Sequence, residues 1–139
     1  MPETSAPKFG KKERIVSRTL MDKLFGGGSS RSMSAFPLRM VYMTMERGSH
    51  DEPVQVLISV SKRHFKRAVK RNRVKRQIRE AYRNNKHLLA EALLPTPERA
   101  LALAFIWQAD KLFDSKEVAQ AMHSLTQRLA ERMNRETGK

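Results

Sequence analysis

The 139-residue sequence has no cysteine, one tryptophan and few aromatic residues, 6% in all. Without cysteine there is neither a disulfide framework nor a cysteine-ligated zinc site. Long apolar runs are also missing. The longest, Ala100 to Trp107, falls far short of the roughly 20 residues that a membrane-spanning helix needs. The opening stretch MPETSAPKFGKKER has no apolar core, so no secretory signal is expected and the cytoplasm is the expected location. Negative charge is scarce, with 14 Asp and Glu against 28 Lys and Arg. The histidines (His50, His64, His87 and His123) are scattered without metal-ligand spacing, and no G-x-S-x-G, H-E-x-x-H or D-x-D-x-D-G pattern occurs. Glu46, Asp51, Glu52, Asp110 and Asp114 fall in expected loops, where turn and cap roles are ordinary. The polypeptide is therefore expected to hold no catalytic residue and no metal site of its own.

Hydrophobic residues make up 40% of the chain, enough to build one compact core at this length. The reading is a single domain over residues 13–134, between a flexible basic tail at 1–12 and a frayed end at 135–139. The formal net charge is +14, and most of it sits in one place. Ser61 to His87 contains Lys62, Arg63, Lys66, Arg67, Lys70, Arg71, Arg73, Lys75, Arg76, Arg79, Arg83 and Lys86 against one acid, Glu80. The rest of the chain is close to balanced. So much like charge in one segment repels itself, and a polyanion relieves that repulsion. Nucleic acid fits better than a membrane surface, because the segment lacks a broad apolar face with Trp or several Leu.

Hydrophobic periodicity supplies the elements. A helix is predicted from about Glu13 to Phe25, with Ile15, Leu20, Leu24 and Phe25 roughly on one face and Met21 beside them; it stops at the Gly26-Gly27-Gly28-Ser29-Ser30 run. Phe36 to Met45 alternates partly, with Phe36, Leu38, Met40 and Tyr42 on one side. Val54 to Ser61 alternates cleanly, with Val54, Val56, Ile58 and Val60 forming a β-branched face. The two segments are expected to form an antiparallel hairpin with one face packed and the other accessible. Val74, Ile78, Ala81 and Tyr82 recur at helical spacing, which places Asn72, Arg76, Arg79 and Arg83 on the opposite side of an amphipathic helix. His87 to Leu94 extends that helix or forms another turn before Pro95-Thr96-Pro97 ends it. Ala100 to Trp107 is expected as a central strand. Asp114 and Glu117 make a box-like helix start ahead of the stripe Val118, Met122, Leu125, Leu129 and Met133. The order strand, basic helix, strand is that of a βαβ unit.

The run Lys70-Arg71-Asn72-Arg73-Val74-Lys75-Arg76-Gln77-Ile78-Arg79-Glu80-Ala81 follows a strand ending Ile58-Ser59-Val60-Ser61-Lys62-Arg63. Together they resemble the bacterial ribonuclease P protein component, whose signature is an R-N-R-x-K-R-x-x-R-E helix preceded by a strand ending S-V-S/A-K-K. Ala68-Val69 and Lys62-Arg63 fill the intervening family positions, and the resemblance extends more weakly over residues 11–133. It implies an α+β fold of order α-β-β-β-α-β-α, a two-layer sandwich with a left-handed βαβ crossover. That handedness runs against the usual rule and does not follow from the pattern. The family order also contains one strand more than the periodicity displays.

The function implied is that of a protein subunit of ribonuclease P, an endoribonuclease whose RNA component is catalytic. The subunit would bind that RNA and the 5′ leader of precursor tRNA, assisting removal of the leader. Magnesium, held mainly by the RNA, would perform the hydrolysis. By this resemblance Lys62, Arg63, Lys66, Arg67, Lys70, Arg71, Asn72, Arg73, Lys75, Arg76 and Arg79 would meet RNA, while Phe25, Met21, Arg39, Ser59, Ser61 and Ile106 would lie on or beside the leader path. Arginine forks match phosphate oxygens, and aromatic faces stack on unpaired bases irrespective of sequence. The chain departs from the family at three positions: Met21 and Arg39 stand where aromatics are usual, and Trp107 where a basic residue often closes the last strand. Leader contact would then rest more on charge and less on stacking. The connection from His87 to Arg99 also looks long for the family. The expected partners are ribonuclease P RNA and precursor tRNA, without membrane or DNA; a helix-turn-helix reading of Val74 to Tyr82 needs a short preceding helix, and the alternation of Val54 to Val60 argues against one. The alternative is a basic ribosomal or ribosome-associated RNA-binding protein without a nuclease role.

Overall fold

The computed structural model describes residues 18–26, 28, 30–46 and 53–137. The tail at 1–12, Ile15 and the other residues before Arg18, most of the Glu46–Pro53 loop and the last two residues lie outside the described residues. The elements are α1 (Arg18–Gly26), β1 (Arg31–Ala35), β2 (Leu38–Glu46), β3 (Val54–Ser59), α2 (Ala68–Leu93), β4 (Arg99–Trp107) and α3 (Ser115–Thr137). This is the α-β-β-β-α-β-α order. The strands form one mixed sheet in the spatial order β1-β2-β4-β3.

β4 lies inside the sheet, antiparallel to β2 and parallel to β3. Ala100 to Phe105 are all fully buried, because a strand paired on both sides and covered on both faces has no solvent face to leave polar. Its insertion corrects the expected hairpin: β2 and β3 are not neighbours. Antiparallel order is instead completed by β1, which pairs with β2 in the register Arg31↔Tyr42 to Ala35↔Leu38 through a turn at Phe36-Pro37. β1, with sequence RSMSA, is the strand that periodicity did not display; Met33 is its one large apolar residue, as suits a strand at the sheet edge.

The sheet has two dissimilar faces. On one, α2 and α3 form a helical layer. The α2 stripe Val74, Ile78, Ala81 and Tyr82 is buried as its spacing predicts, with the Tyr82 ring 5.7 Å from that of Phe105. The α3 stripe Val118, Met122, Leu125, Leu129 and Met133 is buried beside it. Burying each such Leu, Ile or Val stabilises the fold by about 1.5–3 kcal/mol. α3 begins with a reciprocal cap: Glu117 N donates to Asp114 Oδ1 at 2.8 Å, and Asp114 N to Glu117 Oε1 at 3.5 Å. α2 continues unbroken to Leu93, so only residues 94–98 join it to β4, and the connection that looked long from His87 is mostly helix. On the opposite face α1 covers part of the sheet, inserting the fully buried Leu24 among Val41, Met43, Ala102 and Ala104. The remainder of that face is open.

Candidate nucleic-acid interface

Between β3 and α2 the chain makes a short basic loop that is tied at several points. Val60 and Phe65 are buried and anchor it. Ser61 Oγ accepts from Arg63 N at 3.0 Å, and the Ser61 carbonyl accepts from His64 N at 3.1 Å. Arg71 reaches back from α2, its Nη1 donating to the carbonyls of Phe65 (2.9 Å) and Lys66 (2.8 Å). From the far side His64 Nδ1 lies 2.7 Å from Asp110 Oδ1, across the sheet end. Lys62, Arg63, Lys66 and Arg67 project from a loop that has thus lost much of its freedom.

Along α2, Lys70, Asn72, Arg73, Arg76 and Arg79 are exposed, while Arg71 and Lys75 are half-buried. Glu80, the segment's one acid, pairs with Arg83 three residues on. The first turn of α2 has no acidic residue to complement the positive end of the helix dipole. Cations crowd the end of the helix where they are least favoured, an arrangement that an anion relieves.

The open sheet face carries a second surface. The register aligns Ser34, Arg39, Ile106 and Ser59 in one row across all four strands: Ser34 opposes Arg39, Arg39 opposes Ile106, and Ser59 opposes Ile106. Over this row, beside the end of α1, lies a cleft of about 350 Å³ whose lining includes Phe25, Arg31, Ser32, Arg39 and Ile106. Phe25 is 50% exposed, so its ring is available to a ligand. Of the expected cleft residues, Phe25, Arg39 and Ile106 meet here and Ser59 is next in the row. Met21 is half-buried and packs with Leu24 against the sheet, so it supports the wall. Ser61 stands two residues past the end of β3, its hydroxyl engaged in the turn.

Arg31 and Ser32 belong to the cleft but were invisible in the sequence. They sit in a polar stretch after glycines that reads as loop, and only pairing with β2 brings them to the wall. Arg71 carries a signal that was available, since a cation a few residues into a helix can turn back on the loop before it. The His64–Asp110 contact, 46 residues apart in the chain, had none.

A cationic helix beside a small mixed sheet, with a charged cleft on the sheet's open face, defines the class of small basic α+β proteins built to hold polyanions. Comparison with known proteins identifies the member. The ribonuclease P family model matches residues 9–130. Ribonuclease P protein components from two strains of Porphyromonas gingivalis are 43% and 41% identical over 133 residues, each match covering 91% of both chains. The chain belongs to the ribonuclease P protein component family, and the subunit reading is borne out over the ribosome-associated one. The fold agrees: the Thermotoga maritima ribonuclease P protein superposes with a TM-score of 0.61 at 20% identity, covering 84% of this chain and 96% of that one. The Staphylococcus aureus ribonuclease P protein gives a TM-score of 0.58 at 22% identity, covering 88% and 98%.

Proposed function

We propose that this chain joins the catalytic RNA of ribonuclease P through the exposed cations of the basic loop and α2, and receives the single-stranded 5′ leader of precursor tRNA in the cleft beside α1. The complex would remove the leader by magnesium-dependent endonucleolytic cleavage, leaving the mature tRNA 5′ end. The observation that carries the reading is the cleft itself, whose lining combines the exposed Phe25 ring with Arg39 on the open sheet face and Arg31 at the start of β1. Such a cleft accepts unpaired nucleotides of any sequence, by stacking on the ring and pairing phosphates with arginine. The cationic helix is a separate surface, so one RNA can be held on α2 while another is threaded past α1.

The protein's share of the reaction is binding and orientation. Among the described residues no three His, Asp or Glu side chains are grouped to hold a metal ion, and we assign the hydrolytic magnesium to the RNA. Asn72, exposed on the cationic face, can both donate and accept, and serves a base edge or a phosphate. Among the described residues no helix is long and apolar enough to cross a membrane.

The test is Phe25→Ala in the reconstituted holoenzyme, comparing affinity for leader-bearing precursor with that for mature tRNA. The expected loss is about five- to a hundredfold for the precursor, the scale of one lost base–aromatic stack, with mature tRNA little affected. Equal losses for both RNAs would return Phe25 to a purely structural role and remove the cleft from the reading.

A further inference from the structure

The cleft does not end at the sheet edge. Arg31, which forms part of its wall, also lines a second cavity of about 270 Å³ on the other side of β1, together with Tyr42, Thr44 and Arg132. Tyr42 and Thr44 lie on the face of β2 covered by α3. Arg132 comes from the last turns of α3 and is half-buried, its Nη1 donating to the Tyr42 hydroxyl. That bond fixes the guanidinium, which carries five N–H donors in a rigid fork. Among the described residues no carboxylate lines the cavity. α3 is itself secured to this edge, since Arg128 Nη2 donates to the Ser34 carbonyl at 2.7 Å.

We infer that this cavity is a second phosphodiester site, which holds the leader after it passes from the cleft around the β1 edge, with Arg31 as the link between the two. The inference rests on the leader reading of the cleft and extends it. Two guanidinium groups flanked by two hydroxyls are matched to the paired non-bridging oxygens of a phosphate. The leader is the occupant, not the catalytic RNA, because of the sheet order. α2 packs over β3 and β4, whereas α3 packs over β1 and β2. An RNA lying on the outer face of α2 is therefore at the opposite edge from this cavity, while a strand leaving the cleft past Arg31 arrives at it. The consequence is a dependence on leader length: nucleotides beyond those in the cleft add affinity.

The experiment measures binding of precursor tRNAs with leaders of about 4 and about 12 nucleotides to the reconstituted holoenzyme, lengths that bracket a single-strand binding site. Arg132→Gln removes the half-buried cation, and Thr44→Glu places a carboxylate in the cavity from an exposed position. The wild type is expected to bind the long leader more tightly. Each variant should lose about fivefold on the long leader only, the scale of one partly exposed charge pair, and Arg132→Gln should flatten its salt slope by about 0.7. Equal losses on both leaders, or weaker assembly with the catalytic RNA alone, would overturn the inference, and so would unchanged long-leader affinity in both variants. Phe25→Ala, run alongside, separates the two readings. If it shows leader dependence and the cavity variants do not, only the second site fails. If Phe25→Ala shows none, the cleft reading fails with it.

Discussion

Replacing Arg73 and Arg76 by alanine, singly and together, isolates the electrostatic role of α2. Both side chains are exposed, and the buried stripe of the helix lies on its other side, so their removal leaves the core intact. Lys62, Arg63, Lys66, Arg67, Lys70, Arg73, Arg76 and Arg79 are the exposed cations of the proposed interface. If each neutralises one phosphate of folded RNA, counterion release gives a slope of log affinity against log salt of about −7. Affinity then falls about 10⁴-fold between 50 and 200 mM salt. Each arginine removed takes away about 0.9 of that slope, or roughly 3.5-fold of the salt effect over the same range, and the double variant about twelvefold. The assay is filter binding of the protein to ribonuclease P RNA at several salt concentrations, with circular dichroism to confirm folding. Unchanged affinity and slope in the folded double variant would refute the reasoning, because the cations would then be merely solvated. A loss of affinity at constant slope would refute it as well, since contacts that release no counterions are not phosphate contacts.

Three further outcomes follow from the packing. Arg71→Lys cannot reproduce the bond to two carbonyls, so it should free the basic loop; limited trypsin digestion should cut faster between Lys62 and Arg67, with stability down by about 1–2 kcal/mol in urea. Trp107 is fully buried and its Nε1 has no partner among the described residues, so Trp107→Phe should change stability by less than about 1.5 kcal/mol, whereas Trp107→Ala should cost about 3–5 kcal/mol; the same urea titration reads both. Leu24→Ala should cost about 2–5 kcal/mol and loosen α1, lowering discrimination in favour of leader-bearing precursor more than it lowers assembly with the catalytic RNA.

The sequence by itself determined the elements whose periodicity is local and strong. The inner stripes of α2 and α3, the alternation of β3, the apolar run of β4 and the reciprocal cap at Asp114 were all legible, because each reflects a repeat of 3.6 or 2 residues, or a bond within one turn. The cationic face of α2 was legible for the same reason. Strand partners were not. β4 returns from α2 to pair between β2 and β3, and a pairing choice across half the chain depends on which face each element must bury. That insertion undid the hairpin expected of β2 and β3 and left β1 to pair with β2 at the edge. The cleft shows the same division. Phe25 and Arg39 could be singled out by residue type and resemblance, but Arg31 entered only through its register with Tyr42, and Met21 turned inward to the wall. Tertiary structure alone set His64 against Asp110 and brought Arg132 to the β1 edge, while Arg71 holds the basic loop by turning back on carbonyls five and six residues before it. Those contacts join residues far apart in the chain, or turn a charge back on its own backbone, and no periodic pattern records either.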